Sequence, residues 1–228
     1  KQKTAYEIYQ CDWSSDVCSS DLLAKAAPER VNGMAYGTIN ALAVSGHRAD
    51  GRRWVMFSFF GGGHGGHPQG DGLSHGNAPI SMATIPPLEI LEAAYPVMFT
   101  QWALRPDSAG PGRHRGGLGA IYEVELLGED ATASIFAERG RHAPKGVCGG
   151  GEAALNRFSY LNNGRWRRPP AVSKMVGIRL RRGERVRIES PGGGGYGDPS
   201  ERAPEAVAED LRLGYVTRSA PRRKRGGG

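Results

Sequence analysis

Glu184-Arg185-Val186-Arg187-Ile188, followed after Glu189-Ser190 by Pro191-Gly192-Gly193-Gly194-Gly195-Tyr196-Gly197-Asp198-Pro199, sets the pattern for the chain. Val186 and Ile188 alternate with Arg185 and Arg187, the period-two signature of a half-buried strand. The strand then runs into a loop made almost wholly of glycine. The same pairing recurs elsewhere. Gly61-Gly62-Gly63-His64-Gly65-Gly66 follows the apolar run Trp54 to Phe60, the Gly110 to Gly119 cluster precedes Ala120 to Leu127, and Gly146 to Gly151 forms a further cluster. Glycine costs backbone entropy on folding, so a folded chain keeps such runs where a left-handed conformation or close backbone approach is needed. Interleaved Tyr, Arg, His and Asp set these segments apart from Gly/Ser-rich linkers, and they read as structured loops.

Around those loops the chain reads as strands with few helices. Trp54 to Phe60 reads as a buried strand and Pro96 to Leu104 as another. In Ala120 to Leu127, Tyr122, Val124 and Leu126 share one face while Glu123 and Glu125 share the other. Thr132 to Ala137 is expected to pair with it across Gly128-Glu129-Asp130. Gly177 to Leu180 and Glu184 to Ile188 are expected to form a second hairpin about Arg181-Arg182-Gly183. Leu23 to Val44 reads as a broken helix and then an extended piece. Pro204 suits the first turn of a C-terminal helix, with Val207, Ala208 and Leu211 as its apolar stripe and Gly214 as its stop. A shorter helix is expected from Leu88 to Ala94, entered from Pro86-Pro87. The fold class is α+β, strand-rich, with long glycine-rich loops and a C-terminal helix.

With 39% hydrophobic and 8% aromatic residues the chain suits a loop-rich globular protein. It has neither an apolar run long enough to span a bilayer nor a secretory h-region, so no membrane association is expected. Three cysteines, Cys11, Cys18 and Cys148, argue against a disulfide framework and fit a reducing compartment. Much of the net charge of +7 comes from Arg222-Arg223-Lys224-Arg225 near the end. A single aromatic, Trp166, beside Arg165, Arg167 and Arg168 is too little for a nucleic-acid platform. Residues 1–22 have no structural period and resemble translated read-through, and the basic, glycine-rich 220–228 is set aside likewise. The folded body is expected over 23–219, as a fragment of a longer frame cut at the front.

Several motifs invite chemistry. Gly61 to Gly66 matches G-x-G-x-x-G, but His67-Pro68-Gln69-Gly70-Asp71-Gly72 has no helical period, so a dinucleotide site lacks its helix N-terminus. His64, His67 and His75 lie close to Asp71 and are ligand types for zinc or manganese, though at no strong metal spacing. Cys148 lies near Arg141, His142 and Lys145 in sequence, yet a lone cysteine is more often a small core residue, and it is expected in the core. In Arg105 to Gly119, Arg113 and Arg115 could grip a phosphate or carboxylate. An internal Asp107–Arg115 pair is an equal alternative.

Five motifs in order carry a resemblance: Gly61 to Gly66 with Asp71-Gly72; Glu89, Glu92 and Pro96; Asp107-Ser108 through Gly110, Gly112 and Arg115 to Gly119; Pro144, Gly146, Gly149 and Gly150; and Pro191 to Pro199 with Arg202 and the helix of Asp210. From Leu23 to Ser219 the chain closely resembles the C-terminal part of the hydantoinase B / 5-oxoprolinase family. The resemblance implies a cytoplasmic hetero-oligomer with a hydantoinase A-type ATPase partner that binds ATP. The pair would open a small cyclic amide such as 5-oxoproline, a reaction of glutathione metabolism, or a hydantoin. The alternatives it implies are a subunit of an acetone/acetophenone-type carboxylase and a non-catalytic assembly domain that binds the ATPase partner. A divalent metal is implied in a part upstream of these residues, so the fragment alone is expected to be inactive. Carried onto this sequence, the resemblance implies Asp71, Glu92, Asp107 and Arg115 as catalytic. It also implies a substrate or phosphate loop of Gly63, Arg113, Gly116, Gly117, Gly193, Gly194, Tyr196 and Asp198.

Overall fold

The computed structural model describes residues 23–77 and 86–217, so the segments set aside at the two ends lie outside the described residues. Among the described residues nine strands follow one another: β1 (Asn40–His47), β2 (Arg53–Phe60), β3 (Val97–Leu104), β4 (Ala120–Leu126), β5 (Asp130–Phe136), β6 (Arg157–Asn162), β7 (Arg165–Arg167), β8 (Lys174–Arg181) and β9 (Arg185–Glu189). The helices longer than one turn are α1 (Leu88–Ala94) and α2 (Pro204–Arg212), and single turns occupy Ala24–Ala26 and Pro28–Arg30. This is the strand-rich α+β architecture with a C-terminal helix that the sequence implies.

The strands form two antiparallel sheets, ordered β2-β1-β5-β8 and β3-β4-β9-β6-β7. They pack face to face over one core. Leu42, Val44, Met56, Phe60, Ile135 and Ile178 come from the first sheet, and Tyr122, Val124, Leu126, Phe158, Val186 and Ile188 from the second. Each such side chain contributes about 1.5–3 kcal/mol by leaving water. Aromatic rings fill one end, with Phe60 and Tyr122 centroids 4.5 Å apart and Trp102 edge-on to Tyr122 at 5.0 Å.

Two expected hairpins are not hairpins. β4 pairs with β3 and β9, while β5 pairs with β1 and β8, so the Gly128-Glu129 turn carries the chain from one sheet to the other. Arg181-Arg182-Gly183 does the same between β8 and β9. The two crossings lie against each other: Arg182 N–H donates to the Glu129 carbonyl at 3.1 Å and Gly183 N–H to the Leu126 carbonyl at 2.8 Å. Inward alternation looks the same whether neighbouring strands pair or face each other across a core, so periodicity alone could not separate the two. β2 also departs from expectation. It is an edge strand that buries Trp54, Met56, Ser58 and Phe60 while Val55, Phe57 and Phe59 face outward.

Candidate functional site

The glycine clusters meet beyond one end of the sandwich, and they meet backbone to backbone. Gly63 N–H donates to the Pro191 carbonyl (3.0 Å), Gly117 to His64 (2.7 Å), Gly193 to Gly117 (2.9 Å), Gly116 to Gly110 (2.9 Å) and Gly194 to Met34 (2.8 Å). A Cβ on Gly116 would run into the Gly193 carbonyl, and one on Gly63 into the Gly117 carbonyl. The amides named for a phosphate loop are therefore committed to neighbouring carbonyls, and glycine is required there because chains cross without room for a side chain. Residues 67–77, directly after Gly61 to Gly66, hold no helix, so the helix N-terminus that a dinucleotide site needs next is missing from that stretch.

On this weave sits a charge quartet. Arg202 clasps Asp71 with two hydrogen bonds of 2.7 Å, Nη1 to Oδ1 and Nη2 to Oδ2. The same guanidinium reaches Asp210 Oδ2 at 3.1 and 2.8 Å. Arg115 Nε donates to Asp210 Oδ1 at 3.1 Å, and its backbone N–H to Asp71 Oδ1 at 2.7 Å. Side-chain exposure is 10% for Arg115, Arg202 and Asp210 and 32% for Asp71. Two cations and two carboxylates so placed neutralise one another, which is what makes their burial tolerable. Burial opposes ionisation of Asp71, but the hydrogen bonds and charge of Arg202, with Arg115 behind it, hold its carboxyl below the usual range. The bond to Asp71 likewise raises the Arg202 guanidinium.

The quartet fixes α2. Its buried residue is Asp210, while Val207 and Leu211 of the expected apolar stripe are each 42% exposed. They border a cavity of about 300 Å³ whose lining also includes Asp107, Arg115, Arg202 and Val216. Asp107 does not pair with Arg115. In the left-handed region at φ 57°, its carboxylate accepts from Thr217 N–H (2.8 Å) and Thr217 Oγ1 (2.6 Å), and its N–H donates to the Tyr215 carbonyl at 3.0 Å. The Arg115 guanidinium lies 5.3 Å from the Tyr215 ring centre.

The other expected residues are dispersed. Glu92 is outside this assembly, at the α1–β3 corner, where it accepts the Phe99 N–H at 2.8 Å. Arg113 reaches Glu201 at 3.7 Å and lies 5.9 Å from the Tyr196 ring centre, while the Tyr196 hydroxyl donates to the Pro28 carbonyl at 3.1 Å. Asp198 accepts from Ser200 N–H and Oγ at 2.8 and 2.7 Å, closing a single turn. His64 lies 2.6 Å from the Asn77 carbonyl, His67 lies 3.2 Å from Gln69 Oε1, and His75 accepts from Trp102 Nε1 at 3.0 Å. Burial lowers the His75 imidazole. Among the described residues no three His, Cys, Asp or Glu converge as metal ligands, so the residues here do not fit the implied divalent metal. Cys148, expected in the core, is exposed. Arg202 and Asp210 lie in the motifs yet were not among the expected site residues. Their signal was an arginine just before a helix and an aspartate eight residues on within it.

The family model for hydantoinase B/oxoprolinase matches residues 6–199, so the chain belongs to that family. The match begins inside the 1–22 segment and ends before α2. The chain is 30% identical over 196 residues to the B subunit of a putative D-/L-hydantoinase from Pseudomonas sp. strain NS671, covering 86% of this chain and 33% of that protein. It is 31% identical over 207 residues to the beta subunit of the Pseudomonas jessenii caprolactamase, covering 86% of this chain and 35% of the other. The solved ATP-dependent caprolactamase of P. jessenii superposes with a TM-score of 0.69 at 28% identity, over 86% of this chain and 35% of that one. An acetone carboxylase structure superposes at 0.72 and 23% identity, covering 86% and 30%, a likeness of fold alone. The chain thus spans about a third of the length of these relatives. No helix among the described residues is long and apolar enough to cross a membrane.

Proposed function

We propose that this chain is part of the B-type subunit of a cytoplasmic, ATP-dependent cyclic-amide hydrolase, working with a hydantoinase A-type subunit that binds ATP. The observation that carries the reading is the agreement of sequence and fold with caprolactamase, 31% identity over 207 residues and a TM-score of 0.69 across 86% of the chain. Relatives named as hydantoinase and 5-oxoprolinase belong to the same chemical class. In this reading the glycine weave is a rigid wall of the site, because its crossing backbones cannot shift singly. Asp71, Arg115, Arg202 and Asp210 are positioning residues that lock α2 onto that wall, and Asp107, which holds Tyr215 and Thr217, faces the adjoining cavity. In this reading the divalent metal lies outside these residues. The mutual neutralisation of the quartet favours one second reading, an assembly element that holds the ATPase partner without touching substrate.

The test is phosphate release by the full-length parent subunit, co-produced with its ATPase-type partner. Substrates would be 5-oxoproline, a hydantoin, a lactam, and a ketone with bicarbonate. Release coupled to a ring-opened acid supports the hydrolase. Release with only the ketone mixture moves the protein to the carboxylases. A stable complex with no substrate-dependent release supports the assembly reading.

A further inference from the structure

The two outer faces of the sandwich differ in kind. That of β3-β4-β9-β6-β7 carries an ion-pair ladder: Arg185 reaches Glu125 at 2.6 Å and Glu123 at 3.0 Å, and Arg187 reaches Glu123 at 3.4 Å and Glu189 at 3.4 Å. Such a face suits water. The outer face of β2-β1-β5-β8 is charged at one end, where Arg53, Asp130, Thr132 and Arg179 are exposed, and apolar at the other. In register across it run Phe57, Ala43 and Ser134, and then Phe59, Ala41, Phe136 and Lys174. The small residues make a floor. Phe57 and Phe59, edge-on at 4.8 Å, form one wall, and Phe136 with Val176 forms the other. The trough holds about 380 Å³, and Phe57, Phe59, Phe136 and Val176 are 58%, 43%, 46% and 79% exposed. One wall belongs to the edge strand β2, where an open apolar face is an aggregation hazard that native proteins cover.

We infer that this trough is the docking seat for an apolar segment of the same polypeptide, contributed by the part of the full-length protein outside these residues. A floor of Ala and Ser between aromatic walls fits the apolar ridge of an amphipathic helix. The relatives supply the covering chain, since about two thirds of their length lies beyond the matched region. Cover from the same chain avoids the translational cost that a separate partner would bear. The inference rests on the reading of this chain as part of a longer B-type subunit. Its test needs no turnover, so the two can fail separately.

The test is hydroxyl-radical footprinting of the wild-type full-length protein without its partner, with oxidation of the exposed Phe57, Phe59, Phe136 and Val176 normalised to the urea-unfolded protein. Docking by the same chain predicts about tenfold or greater protection at all four, independent of protein concentration. Oxidation within about twofold of the unfolded rate overturns the inference. So does protection that appears only on adding the ATPase-type partner, which makes that partner the occupant. Protection lost on dilution overturns it too, in favour of a second copy.

Discussion

Asp71 and Arg202, 131 residues apart in sequence, are joined by two parallel hydrogen bonds of 2.7 Å, and the far side of the same guanidinium is held by Asp210. One planar group thus ties the loop after Gly66 to the start of the last helix. The geometry is one that arginine can satisfy and lysine cannot, because a single ammonium cannot present two donor edges to two carboxylates.

Asp71→Asn leaves two guanidiniums facing one carboxylate. With Asp71 about a third exposed, the expected loss is about 2–3 kcal/mol, below that for a wholly buried pair. Urea unfolding should show it as a lower midpoint at unchanged slope. Arg202→Lys should fall nearly as far, and a lysine variant as stable as wild type would refute the two-sided clasp.

The pH dependence has a definite sign. The Asp71 carboxyl is held below its ordinary value in the folded protein, so its contribution is complete above the unfolded value near pH 4 and is lost as pH falls through the lower folded value. Stability of the wild type should therefore drop between about pH 5 and about pH 2 more steeply than that of Asp71→Asn. Parallel curves from acid titration of the two unfolding free energies would contradict this.

Gly116 and Gly183 separate two uses of glycine. Gly116→Ala pushes a Cβ against the Gly193 carbonyl and should cost about 3 kcal/mol or more, or prevent folding. Gly183 has φ 80° with open space around it, so Gly183→Ala should cost only about 1 kcal/mol of backbone strain. Thermal melts of the two variants give the order directly.

Glu92 accepts one main-chain hydrogen bond, from Phe99, on an exposed corner. Glu92→Gln keeps an acceptor there and should change stability by less than about 1 kcal/mol. Turnover of the complex carrying this variant should stay within about threefold of wild type. A loss of orders of magnitude in kcat would bring the α1–β3 corner to the reacting atoms.

Strand identity was legible because it depends on local alternation: β3, β4 and β9, and helix α1, fall where the apolar pattern puts them. Sheet membership was not, since β4–β5 and β8–β9 read as hairpins yet cross between layers. The quartet was half legible. Asp71 and Arg115 stand out as charges inside glycine loops, whereas Asp210 is one carboxylate among several on a helix. Its partners come from positions 95 and 8 residues away, and no local period records them.

The glycine weave has a kinetic consequence. Its hydrogen bonds join Gly33 to Gly66, Gly63 to Pro191, Gly117 to His64 and Gly194 to Met34, each closing a loop of about 30 to 160 residues. Few of them can form early, because each crossing joins segments distant in the chain, and two of the four need residues 191–194. The sandwich can collapse first on its apolar faces, while the wall waits for the last segment to arrive. Such a topology folds slowly for its size, and the Arg202–Asp71 clasp, between residues 131 apart, closes one of its long loops.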